Sequence, residues 1–248
     1  MRVKGALHIH STLSHDGTLS VRELSRFYSE KGYHFLAMSE HSEDMDERKA
    51  GQLQKSCAEN SSESFCMIPG IEFSCEGRIH IPALGVVETI RSEEPLEVIQ
   101  EVHRLDGFAI LAHPRRIKWN CSPAILRAVN AVEIWNVGYD GKFLPSSEGM
   151  KAFQKMRQIN PDLLAVASHD LHQTGGYYDA AVGMEVSVLD PPNILSALRE
   201  GRYRIESRFF RTDSRARLTK AKSTSLGLIS RQLELMRKAR GIFLRWSA

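Results

Sequence analysis

Histidines and carboxylates in this 248-residue chain gather at the ends of short apolar runs. His8-Ile9-His10 ends the run from Val3, Glu40-His41 follows Phe35–Met38, and Glu72 follows Ile68-Pro69-Gly70-Ile71. His113-Pro114 ends Ala109–Ala112, His80 heads another apolar run, and His169-Asp170-Leu171-His172 follows Val166-Ala167-Ser168. Residues two apart in a strand face the same side, so His8 and His10 can grip one cation while Ile9 packs away. Asp170 and His172 repeat that spacing, and Asp16-Gly17 sets an acid at a turn six residues past His10. Imidazole and carboxylate ligands without thiolate suit Zn²⁺, Mn²⁺ or Fe²⁺. Two such ions close together lower the pKa of a shared water and clamp the attacking and leaving oxygens of an in-line displacement at phosphorus. That chemistry is phosphate-ester hydrolysis, and no nucleophilic Ser or Cys motif points to acyl transfer.

The elements that must position these residues follow a βα rhythm. Strands are expected at Val3–His8, Phe35–Met38, Cys66–Ile71, Ile79–Val86, Ala109–Ala112, Val132–Trp135, Leu163–Ala167 and Met184–Val188. Helices are expected at Ser20–Lys31, Pro95–Leu105, Ser122–Ala128, Ser146–Gln158 and Pro192–Glu200. In a parallel barrel the C-terminal strand ends converge on one face, where catalytic residues sit. The polar stretch Ser42–Ser64 reads as a loop or surface helix, a flap over those ends.

The composition is that of an ordinary globular protein, 42% hydrophobic and 25% charged, long enough to bury a core without help from metals or disulfides. Four cysteines with no CxxC pair and no apolar leader point to a reducing cytoplasm. No run of residues is apolar enough to span a membrane. The net charge of +3 is uneven: from Arg199 onward there are 14 Lys/Arg against 4 Asp/Glu, so the first 198 residues are acidic. A domain over 1–204 followed by a basic extension over 205–248 is expected. Within the extension, Leu226–Phe243 has amphipathic helical spacing. It would pack on the body or on a second subunit as an oligomer contact, or meet nucleic acid or an anionic membrane surface.

Taken together, Leu7-His8-Ile9-His10-Ser11, Ser14-His15-Asp16-Gly17, Glu40-His41, Pro69-Gly70-Ile71-Glu72, His80, Ala112-His113-Pro114 and Ser168-His169-Asp170-Leu171-His172 resemble the polymerase and histidinol phosphatase (PHP) superfamily. The resemblance covers about the first 175 residues in order. It implies an α/β fold, a distorted (β/α)7 TIM-like barrel, with three divalent metal ions. His8, His10, Glu72 and Asp170 would hold the first ion. Glu72, His80 and His113 would hold the second, with Glu72 bridging, and Asp16, His41 and His172 the third. The chain departs from the pattern at His169, where no histidine is expected before the acid, so His169 either lies near the substrate or faces away.

Arg115 and Arg116 follow His113-Pro114 directly, so one guanidinium can reach phosphoryl oxygens with paired hydrogen bonds. Either is equally suited to a surface ion pair. Trp119, Trp135-Asn136 and Tyr139 are candidates for lining a pocket, with Trp135 alternatively in the core. His34 and His103 read as surface or packing residues. The resulting expectation is a hydrolase of phosphoric esters with Glu72, Asp170, Arg115, Arg116 and His169 as catalytic candidates. Its substrate would be a small phosphomonoester, histidinol-phosphate-like or a short nucleotide. The alternatives are a phosphodiesterase or exonuclease acting on oligonucleotides, and a non-catalytic metal-binding scaffold.

Overall fold

A computed structural model describes residues 1–218 and 226–229. Among the described residues up to 218, the strands and α-helices are, in chain order, β1 (Arg2–Ile9), α1 (Val21–Glu30), β2 (Phe35–Met38), β3 (Glu40–His41), α2 (Glu47–Glu59), β4 (Cys66–Ile68), β5 (Gly70–Cys75), β6 (Ile79–Leu84), α3 (Pro95–Arg104), β7 (Phe108–Leu111), α4 (Pro123–Ala128), β8 (Ala131–Asn136), α5 (Ser147–Ile159), β9 (Leu164–Ser168), β10 (Ala181–Glu185), α6 (Pro191–Arg199), β11 (Tyr203–Glu206) and β12 (Arg211–Asp213). Local chemistry sets most boundaries. Ser20 and Glu23 form a reciprocal capping box on α1, while Ser122, Ser146 and Asp190 cap α4, α5 and α6.

The chain is α/β, but the described strands do not close into the expected barrel. They lie in two six-stranded sheets, ordered β12-β11-β10-β1-β2-β4 and β3-β5-β6-β7-β8-β9. The βα rhythm fails between β5 and β6, where the short turn Glu76–Arg78 replaces a helix. So short a connection forces an antiparallel pair, and β6 also runs antiparallel to β7. Strand β10 is antiparallel to β1 and to β11, which makes one flank of the first sheet a meander.

The two sheets nevertheless meet where the histidines gather. β2 passes into β3 across Ser39, and β4 into β5 across Pro69, so each of these runs crosses from one sheet to the other. On the opposite side, the backbone of β1 is tied to the segment after β9 by His10 N–H to Leu171 O (3.0 Å) and His169 N–H to Leu7 O (3.0 Å). The inner faces carry a continuous apolar core that includes Leu7, Ile9, Leu36, Met38, Ile71, Leu111, Ile134 and Val166.

Of the two readings of Ser42–Ser64, loop or surface helix, the helix holds: most of it is α2, and since Ala50, Leu53 and Cys57 are buried against the body it is packed down rather than a free flap. Residue 204, the expected end of the domain, falls inside β11, and the first sheet continues through β12. Of the basic extension, Arg211 is paired with Glu206 (3.3 Å) and Arg217 with Asp213 (2.6 Å). Leu226 begins the helical residues 226–229 and is buried with the core; the rest of the expected helix to Phe243 lies outside the described residues. Among the described residues no helix is long and apolar enough to cross a membrane.

Candidate metal centre

Glu72 is the hub. It is buried on β5, and five imidazoles reach its two carboxylate oxygens. Oε1 lies 3.3 Å from His8 Nε2, 3.1 Å from His80 Nδ1 and 3.1 Å from His113 Nε2. Oε2 lies 3.2 Å from His41 Nδ1 and 3.8 Å from His10 Nε2. Asp170 Oδ1 adds a second carboxylate, 3.4 Å from His8 Nε2 and 3.5 Å from His10 Nε2. At the open rim, Asp16 reaches His41 Nε2 at 3.3 Å and His172 Nε2 at 3.2 Å. All nine residues expected as metal ligands therefore gather around one focus.

Backbone irregularity makes this convergence possible. His8 sits at a bulge in the pairing of β1 with β2 and has φ of 63°, while His113 and Asp170 have φ of 26° and 50°. Positive φ is costly for residues with a Cβ and persists where the surroundings impose it, commonly at functional sites. Simple strand alternation thus put His8 and His10 on one side for an incomplete reason, since the bulge re-aims His8. His80, near the start of β6, is set opposite Ser74 by the antiparallel turn, two residues along β5 from Glu72 and on the same face. Gly17 lets the Asp16 turn fold in, since any Cβ there would collide with the Ser11 carbonyl.

The buried groups have too many charges to be left to themselves. Burial raises the cost of ionising Glu72 and Asp170, yet the positive charge of His8 holds both carboxyls well below their usual range. Burial would lower the His8 pKa, but Glu72, Asp170 and Glu133 together lift it well above the ordinary imidazole value. The cluster therefore demands positive charge at its centre. Three buried ring nitrogens, His8 Nε2, His10 Nδ1 and His10 Nε2, have no hydrogen-bond partner among the described residues. Four triads of ligand atoms fall within metal-binding range of one another: His10/His41/His172, His8/His10/Glu72, His8/His113/Asp170 and Glu72/His80/His113. Orphaned imidazole nitrogens facing buried carboxylates are what a divalent cation would satisfy, so the residues fit bound metal.

Two carboxylates support the centre from behind. Glu133, fully buried on β8, accepts from His8 Nδ1 (2.7 Å), from the His113 backbone N–H (2.6 Å) and from Asn136 Nδ2 (2.9 Å). This contact fixes the His8 tautomer and turns Nε2 inward. Glu40 accepts from Ser11 N–H (3.0 Å) and Ser14 Oγ (2.6 Å). Ser14 Oγ in turn accepts from His41 N–H (2.9 Å), which ties the loop carrying Asp16 to β3. Glu133 was not singled out from sequence; its one signal was a charge inside the apolar run Ala131–Trp135.

The remaining candidates separate clearly. Arg116 Nη1 lies 3.3 Å from His80 Nε2, at the cluster, whereas Arg115 turns to the Tyr139 carbonyl (3.4 Å) and Asp140 (3.8 Å). His169 is not at the centre. It is buried among Tyr28, Tyr33 and Tyr177, accepts from the Tyr28 hydroxyl (2.6 Å) and donates to the Ala180 carbonyl (2.5 Å), so both ring nitrogens are committed. Burial lowers its pKa to about 4. Trp135 is core, with Nε1 donating to Gly141 O, while Asn136 Nδ2 reaches Asp170 Oδ2 (3.2 Å) and the Tyr139 ring lies 5.0 Å from that of His113.

No family model matches the chain. The described fold is similar to that of a two-domain protein from Bacteroides vulgatus containing a predicted PHP-like metal-dependent phosphoesterase, with a TM-score of 0.62, 16% identity, and coverage of 85% of this chain and 66% of that one. The chain has a PHP-like fold. A second structure similar in fold is the novel lesion-specific endonuclease EndoQ from Pyrococcus furiosus, at TM-score 0.57 and 15% identity, covering 83% of this chain and 58% of that one. In sequence, 79 residues are 35% identical to the Bacillus subtilis DNA polymerase/3'-5' exonuclease PolX, covering 29% of this chain and 14% of that protein. The chain thus spans less than two-thirds of each of these relatives.

Proposed function

We propose that this protein is a metal-dependent hydrolase of phosphoric esters, and that its substrate is a nucleotide phosphate. The observation that carries the reading is Glu72, a buried carboxylate reached by five imidazoles and placed to be shared between ions. His8, His10, Glu72 and Asp170 would hold one divalent ion, Glu72, His80 and His113 a second, and Asp16, His41 and His172 a third. Such ions supply Lewis acidity toward a phosphoryl oxygen and acidify water.

The chain's own residues do the rest. Glu133 holds His8 in the tautomer that presents Nε2 inward, and its contact with the His113 backbone fixes the strained exit of β7. Arg116 brings a guanidinium to the mouth of the site, where it pairs with the non-bridging oxygens of a phosphate. Buried apolar neighbours such as Leu7, Ile71 and Leu111 keep the ligand set in one arrangement. Two of the similar proteins carry nuclease names, which favours a nucleotide over other small phosphomonoesters. Four unpaired cysteines agree with a reducing cytoplasm as the place of action.

The test strips the protein with a chelator, reloads it separately with Zn²⁺, Mn²⁺ and Fe²⁺, and measures turnover of p-nitrophenyl phosphate, bis(p-nitrophenyl) phosphate and nucleoside monophosphates. At least one metal restores hydrolysis. Glu72→Ala abolishes it and removes more than one metal equivalent by elemental analysis. Full metal content in that variant, or a metal-replete wild type inert on every ester, would overturn the reading.

A further inference from the structure

Beside the metal centre, large aromatic side chains stand out in solvent. Tyr139, Phe143 and Phe209 are 42%, 55% and 64% exposed, where burial would be the favourable state for a phenyl ring. Lone exposed apolar residues are ordinary, but Phe143 and Phe209 are neighbours. The Phe143 ring is 6.0 Å from Tyr178 and 6.3 Å from Phe209, edge to face in both cases. Tyr139, four residues before Phe143 in the same loop, has its ring 5.0 Å from that of His113 of the metal cluster, so this loop runs from the site to the exposed rings.

The rings stand on a rigid base. Phe143 belongs to the segment after β8, and Phe209 to the hairpin between β11 and β12. Both segments are anchored on buried Trp135, whose Nε1 donates to Gly141 O at 2.7 Å and whose ring meets that of Phe210 at 5.9 Å. The surrounding charge is positive. Lys142 Nζ sits 4.6 Å from the Tyr178 ring, and exposed Arg208 precedes Phe209. Of the acids in these segments, Asp179 is paired with Lys4 at 2.7 Å and Asp140 is buried.

We propose that Tyr139, Phe143, Tyr178 and Phe209 form a ledge on which successive bases of a single-stranded oligonucleotide stack while its phosphoester lies at the Glu72 cluster. Aromatic faces held rigidly beside cations are the general means of binding single strands, since every base has a π-face and every linkage a negative charge. An apolar protein face would be suited by the rings but not by the cations. This inference rests on the phosphoesterase reading for its chemistry, and on the ledge alone for binding.

The experiment compares wild type with Phe143→Ala, Phe209→Ala and the double variant. Binding of a fluorescein-labelled ten-nucleotide oligothymidylate is followed by anisotropy, and turnover is measured on that oligonucleotide and on p-nitrophenyl phosphate. Each substitution weakens oligonucleotide binding about tenfold and the double variant about a hundredfold, while turnover of p-nitrophenyl phosphate is unchanged. Phe143→Trp retains binding. Both phenylalanines are exposed, so the variants fold, as circular dichroism will show. Unchanged oligonucleotide affinity in the double variant overturns the ledge and leaves the hydrolase intact. Ring-dependent binding without hydrolysis of any ester sinks the hydrolase reading and leaves the ledge. Dimerisation of wild type that the double variant loses, with no oligonucleotide binding, assigns the ledge to a second copy and also overturns the proposal.

Discussion

Replacing Glu133 with glutamine tests whether the centre depends on a residue that touches no metal position. Glu133 accepts three hydrogen bonds, from His8 Nδ1 at 2.7 Å, His113 N–H at 2.6 Å and Asn136 Nδ2 at 2.9 Å. A carboxylate has two acceptor oxygens for these donors; glutamine keeps one and points an NH₂ at donors on the other side. At least one charge-assisted bond is lost, worth about 1.5–3 kcal/mol. Burial would push the Glu133 carboxyl up, but His8 and His113 hold it below the usual range, so the native group is ionised at neutral pH. Losing the partner that orients a ligating imidazole lowers metal affinity about 10–100-fold, or about 1.4–2.8 kcal/mol, which agrees with the hydrogen-bond figure. The assay is competition between the apo protein and a chromogenic chelator for Zn²⁺, with circular dichroism confirming a folded variant. A folded Glu133→Gln protein with metal affinity within twofold of wild type would show that His8 is held by packing alone, and the reasoning would fail.

His169→Ala leaves the Tyr28 hydroxyl and the Ala180 carbonyl unpaired in a buried cavity, so it should cost about 2–4 kcal/mol in urea unfolding with metal content unchanged. Loss of bound metal would instead put His169 at the centre. Asp140 offers a pH test. Burial pushes its carboxyl up to about 7, whereas in the unfolded chain it titrates near ~4. Between those values the unfolded chain releases a proton that the folded protein keeps, so this residue makes stability fall as pH rises through that window and level off above it. Asp140→Asn removes the effect. The variant's stability relative to wild type should rise between pH 4.5 and pH 8, by at most about 4 kcal/mol, and a pH-independent difference would refute the assignment.

Most element positions could be read from the residues because their causes are local. The expected strand Phe35–Met38 and the α1, α3 and α5 regions coincide with the structure to within a residue or two, since apolar periodicity and Ser caps act over a few positions. The direction of β6 was not legible. A parallel arrangement follows from the βα rhythm, and only the compact turn at Glu76–Arg78 reverses it. His169 misled for a related reason. It adjoins Asp170 in sequence, yet Asp170 has positive φ, and the two side chains leave the backbone in opposite senses, one toward Tyr28 and the other toward His8.

By itself the sequence determined which imidazoles and carboxylates stand at the ends of apolar runs, and those nine expected ligands are the ones that gather at the cluster. Imidazoles and carboxylates at the ends of apolar runs are costly to place unless something binds there, and their identity and order are independent of how the sheets join. Tertiary structure alone decided that Glu133 orients His8, that Arg116 rather than Arg115 meets the cluster, and that Phe143 and Phe209 lie edge to face. Each of these depends on contacts between segments tens of residues apart, and such contacts are set by bulges, antiparallel turns and packing, which leave no periodic trace in the chain.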